Sequence, residues 1–142
     1  MTAISLAAAR TIIDAALAKG DELKLKPLAV VVLDAGGHMI ASVRQDGASF
    51  MRVQVATGKA SGALALGISS RKIGEMAAER PTFISCLGPI APAGIIPAAG
   101  GVILVDGAGA PVGAVGISGD LSDNDEICAI AGAQAAGLAV QA

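Results

Sequence analysis

The chain has 142 residues, 54% of them hydrophobic but only 1% aromatic, and carries a net charge of −2. Ten scattered basic residues without a Trp or Tyr stacking platform exclude a nucleic-acid partner. No apolar run reaches the roughly 18–20 residues of a membrane-spanning helix, so no membrane partner is expected.

The predicted elements follow from the chain order. An Ala-rich helix covers 5–19, with Ala9, Ile12, Ile13, Ala16 and Leu17 on one stripe and Gly20 placed to end it. Pro27 blocks its continuation, and the β-branched run Leu28 to Leu33 predicts a strand. Asp34-Ala35-Gly36-Gly37 is hairpin-turn chemistry. The return strand, 38–45, places Met39, Ala41 and Val43 on one face and His38, Ile40, Ser42 and Arg44 on the other. A long helix over 49–66 is studded with Ala56, Gly58, Ala60, Gly62 and Ala63, residues small enough for close packing.

Ser69 or Ser70 caps a shorter helix to Glu79, which Pro81 stops. Residues 81–97, with Pro81, Pro89, Pro92 and Pro97, read as a long irregular loop of the lid or binding kind. Strands over 101–105 and 112–118 are joined by Asp106–Gly109, and a last helix covers 123–140 with acidic residues at its start. The order is helix-hairpin-helix-helix-hairpin-helix. It predicts one α/β domain of the α+β type over 1–142, a mostly antiparallel sheet flanked by helices.

So few charges on so apolar a chain leave little polar surface, which points to a homo-oligomer. Met1 to Ile4 lacks the basic and apolar regions of a secretory signal, and the expected compartment is the cytoplasm. Cys86 and Cys128 have no metal-site spacing and read as small buried residues. Asp120, Asp123 and Asp125 lack the pattern of a calcium loop and read as helix caps, so no metal is expected.

The candidate functional residues gather at two Gly-rich strand ends. His38, the sole histidine, is a haem or metal ligand or a general base, or else a residue that fixes its turn. Lys59, among small apolar helix residues, is a pocket amine depressed by burial, or a stem lying on the surface with its charge in water. Arg44 is a carboxylate clamp or an ion-pair partner of Asp46. Gly100, Gly101, Gly116 and Gly119 pack closely or expose backbone N–H groups to an anion, with Ser118 beside them. No dinucleotide or Walker fingerprint is present. His38 and Arg44, six positions apart on one strand, are separated by roughly 20 Å, too far for one small ligand.

In order, Val-Leu-Asp34-Ala-Gly-Gly37-His38, Arg44-x-Asp46-Gly-Ala48, Lys59-Ala60, Gly100-Gly101, Asp106-Gly107, Val112-Gly113-Ala-Val-Gly116-x-Ser118-Gly119 and Asp125-Glu126 resemble the GlcG/HbpS-like family. That family includes the C-terminal domain of PduO-type cobalamin adenosyltransferases. The resemblance implies a profilin-like layout, symmetric oligomers, and haem as the cofactor of some members; other members sit in operons for catabolism of small organic acids and diols. The chain departs from the pattern in having Gly100-Gly101-Val102-Ile103 where many members have Gly-Gly-Val-Pro, and no histidine in its first helix.

Two functions follow as expectations. One is a cytoplasmic oligomeric ligand-binding protein, accessory to a catabolic pathway, taking haem or a small organic acid through His38, Gly100, Gly101, Gly116, Ser118 and Gly119. The other is a cofactor-independent isomerase, hydratase or hydrolase on a small carboxylate or carbonyl substrate, with Arg44 and Lys59 catalytic.

Overall fold

Leu28 to Leu33 is apolar at every position, and such a strand needs cover on both faces. In the computed structural model, which describes residues 3–142, it becomes the interior strand β1 (Ala29–Asp34), buried from 29 to 33. β2 (Met39–Arg44) returns antiparallel to it after a turn in which Gly37 takes the left-handed position at φ +84°. β3 (Gly101–Val105) and β4 (Pro111–Ser118) form the second hairpin. β4 joins the two hairpins by pairing with β1, Ala29 opposite Ser118 and Asp34 opposite Gly113. β5 (Ala139–Val140) adds to β3, giving the order β2-β1-β4-β3-β5, antiparallel throughout the described residues.

Side chains alternate across the sheet, so the core has two layers. Val30, Val32, Val102, Leu104, Val115 and Ile117 face α1 (Leu6–Glu22) and α5 (Ser122–Ala135). Val31, Leu33 and Ala114 face Ala56 and Ala60 of α2 (Met51–Leu66). Here the small residues matter: a Cβ on Gly116 would collide with the Ala56 carbonyl, and one on Gly101 with the Lys59 carbonyl. α3 (Ser70–Glu79) follows, its N-terminus capped by the Ser69 hydroxyl, which accepts from the Lys72 N–H at 3.3 Å. The α+β class agrees with the sequence reading, and so does the element order apart from an added helix after α3 and the added strand β5.

Five expectations are corrected. The segment 81–97 is not wholly irregular, since Pro81 occupies the first turn of α4 (Pro81–Leu87), and a 3₁₀ turn (Gly88–Ile90) comes next. Proline starts helices as readily as it stops them, because its missing N–H falls where no partner exists. The last helix stops at Ala135, and the chain beyond Gly137 leaves it to pair with β3; an unpaired sheet edge outweighed local helical propensity. Gly20 lies inside α1, where it admits the Leu28 side chain, and the helix runs on to Glu22. Finally, the register shifts between Val32 and Leu33, and Ile40 packs with Ala41 and Val43 on the α1–α5 layer while Met39 pairs with Leu33. Of the two cysteines only Cys128 is buried; Cys86 is exposed.

Candidate functional site at the two ends of β1

At the Ala29 end of β1 the polar groups turn inward. Lys59, on the sheet-facing side of α2, has a side chain only 3% exposed. Its Nζ donates to the Ile117 carbonyl at 2.9 Å and to Asp125 Oδ2 at 3.2 Å. The other Asp125 oxygen accepts the Asp120 N–H at 3.0 Å. The pair therefore ties α2, β4 and the start of α5 together. Burial pushes Lys59 below its ordinary value and Asp125 above its own, and each is opposed by the other's charge. The surface-stem reading of Lys59 is replaced by a buried ion pair. Proton abstraction by its amine would require that pair to open first.

The glycines make room for this lysine. A Cβ on Gly100 would stand 2.9 Å from Lys59 Nζ, and Gly100 holds φ +127°. Gly101 and Gly116 admit the backbone of α2, and Gly119 admits the Pro27 carbonyl. All four lie against protein atoms. Ser118 is buried on the same face, where its hydroxyl accepts Arg52 Nη1 at 3.2 Å.

Arg52 was not singled out from the sequence, although it lies seven positions before Lys59, two helical turns along one face. From the sequence Asp125 reads only as a cap, because a partner 66 residues distant leaves no local signal. Asp120 does cap: its carboxylate accepts from Asn124 Nδ2, the Lys26 N–H and the Leu121 N–H, which hold it down to about 2. Cys128 nearby is no nucleophile, since burial pushes its thiol up to about 11.

Arg44 belongs to the same end of the sheet but not to the Lys59 cluster. It pairs with Ala29 on β2, two strands from Ser118, and lines an open cleft of about 470 Å³ with Asp21, Leu25, Pro27, Gln45 and Asp46. No ion pair with Asp46 forms.

At the Asp34 end the polar groups turn outward. The His38 side chain is 81% exposed, with Nδ1 3.3 Å from Asp34 Oδ1. That oxygen also accepts the His38 and Gly36 N–H groups, each at 2.9 Å, and these bonds hold Asp34 below the usual carboxylate range. With Nδ1 facing Asp34, Nε2 is the ring nitrogen left for a metal. The ring lies over Gly36, where a Cβ would stand 3.0 Å from it. Gly36 and Gly37 in turn border a shallow cleft of about 150 Å³ with Ser61, Leu64, Ala65 and Pro92.

The family model described as haem degrading protein HbpS-like matches residues 4–134. The chain belongs to the HbpS-like family. The resemblance of its motifs is thereby confirmed. No curated protein matches it by sequence. Among solved structures, HbpS is similar at 29% identity and a TM-score of 0.80, over 94% of this chain and 90% of that one. The PduOC–haem complex is similar at 22% identity and a TM-score of 0.86, over 99% and 100%. Protein ORFY of Klebsiella pneumoniae reaches 0.85 at 24% identity, over 96% and 93%. At 22 and 24% identity, PduOC and ORFY speak for the fold alone. No helix of the described residues is long and apolar enough to cross a membrane.

Proposed function

We propose that this HbpS-like chain is a ligand-binding protein whose ligand is haem, ligated through His38. The observation that carries the reading is the His38–Asp34 pair: an exposed imidazole whose Nδ1 faces a carboxylate at 3.3 Å, so that Nε2 is the nitrogen that would reach iron. An axial histidine is one of the standard ways a protein holds haem iron. The family's own description names haem, and PduOC, of the same fold, is known in a haem complex.

The residues fit the group in donor chemistry. Asp34 would orient the ring, and Gly37, with nothing within 4 Å of its Cβ position, would let a flat ligand approach the backbone closely. The cleft beside the turn, about 150 Å³, is smaller than the roughly 300–1,000 Å³ of an enclosing pocket. A second copy of the chain would complete the enclosure, and this reading includes a homo-oligomer. Ile90 at 79% and Phe50 at 74% exposure are apolar surface of the kind an assembly covers. The cytoplasm and an accessory part in small-acid catabolism complete the reading, on the resemblance of the sequence.

Titration with hemin tests it. A saturable Soret band at one haem per His38, lost in His38→Ala with the fold intact, is the expected result. Equal binding by His38→Ala, or no saturable band, overturns it.

A further inference from the structure

Arg52 is the least satisfied cation of the α2 face. Nη1 donates to Ser118 Oγ, while Nη2 and Nε have no acceptor among the described residues. Among the described residues no carboxylate lies within ion-pair distance of it; Lys59 holds Asp125, and Arg71 holds Asp123 and Glu126. Lys26 likewise makes no ion pair among the described residues. Arg52 and Lys26 line one open cleft of about 190 Å³ with Gly119, Asp120 and Leu121.

Asp120 offsets one of the two cations and leaves the cleft with one positive charge in excess. Its oxygens are taken up by the Asn124 amide and by the N–H groups of Lys26 and Leu121. Counting side chains on the wall, two cations stand against one such committed carboxylate. Leu121, 74% exposed, supplies an apolar wall. A half-buried guanidinium with free N–H groups on its fork matches the paired oxygens of a carboxylate. The small volume selects an acid of a few carbons, and the leucine favours a short aliphatic chain over a fully hydrated phosphate.

We propose that this cleft is a binding site for a small aliphatic carboxylate, gripped by Arg52 with Lys26 as the second cation. It lies at the opposite end of β1 from His38, since Ser118 stands across from Ala29 whereas His38 follows Asp34. Within one chain the cleft is therefore separate from His38.

Calorimetric titration of the full chain with butyrate, lactate and inorganic phosphate tests the proposal. Saturable binding of butyrate or lactate is expected, weakened at least tenfold by Arg52→Gln and a few-fold by Lys26→Gln. Lys19→Gln, which removes a charge from the exposed Lys19–Glu22 pair, leaves it unchanged. Leu121→Asp sets a carboxylate on the exposed wall at the N-cap of α5, a position that favours Asp, so it abolishes binding without unfolding the chain. Absence of saturable carboxylate binding, phosphate bound more tightly than both acids, or undiminished binding in Leu121→Asp or in folded Arg52→Gln overturns the assignment.

Discussion

The two ends of β1 use polar residues in opposite ways. At the Asp34 end, His38 is 81% exposed and leans on a carboxylate that is itself 42% exposed. At the Ala29 end, Lys59 and Asp125 are 3% and 1% exposed, and their charges are answered only by each other, the Ile117 carbonyl and the Asp120 N–H. Water can replace any partner lost at the first end, and nothing can at the second. The comparison teaches that one fold separates a structural charge from a chemical one by depth. The exposed histidine is free to bind, and the buried lysine is bound already.

The largest effect that would break this contrast is expected at the ion pair. Lys59→Met leaves Asp125 buried without a counter-charge, a loss of about 3–5 kcal/mol. That amounts to roughly 10–15 °C in Tm for a domain of this size. Calorimetric melting checks it, and restoring much of the loss by adding Asp125→Leu identifies the orphaned charge as the cause. A drop below about 1 kcal/mol in Lys59→Met alone would remove the distinction between the two ends.

Glycines at the two ends sharpen it further. Gly116→Ala drives a Cβ into the Ala56 carbonyl and should cost about 1–3 kcal/mol by urea unfolding. Gly37→Ala meets nothing within 4 Å and suffers only from its φ of +84°, a cost of about 1 kcal/mol. The reverse ranking would mean that α2 can shift away from the sheet.

His38→Ala is expected to change stability by no more than about 0.5 kcal/mol, as exposed positions do. It should still abolish the Soret band. A large loss of stability would make His38 a turn-fixing residue.

The smallest effect is the acid limb of stability. Asp120 is held down to about 2 from an ordinary 3.8, so its contribution is complete above that ordinary value and fades as pH falls through about 2. Asp120→Asn should flatten the melting temperature between about pH 4 and pH 2. An unchanged acid limb would show that the Asn124, Lys26 and Leu121 bonds count for little.

Much of the fold could be read from local pattern. The β-branched run at 28–33 and the Asp-Ala-Gly-Gly turn placed the first hairpin, and the small residues of 56–63 marked the helix that packs on the sheet. The missed elements were those in which distant chain decided. Residues 139–140 gave up helix for an open edge of β3, and Gly20 served Leu28 instead of ending α1. In the candidate site, His38 is visible as the sole histidine, whereas its carboxylate partner Asp34, four positions away across the turn, is found only in the folded chain. Lys59 was visible only as an anomaly among small residues, since Asp125 reaches it from another helix. Arg52 was lost among ten basic residues, because the Ser118 hydroxyl it reaches lies 66 positions away and leaves no local signal.

The sequence by itself determined the antiparallel hairpins, the helices between them and the membership of the HbpS-like family, because periodicity, turn residues and motif order are local properties. Only the tertiary structure decided which charges are spent within the protein and which remain for a ligand. Burial and pairing depend on residues that come together after folding. Lys59 and Asp125, separated by 66 positions, meet inside the core, while Arg52 reaches the same face and finds only a serine hydroxyl.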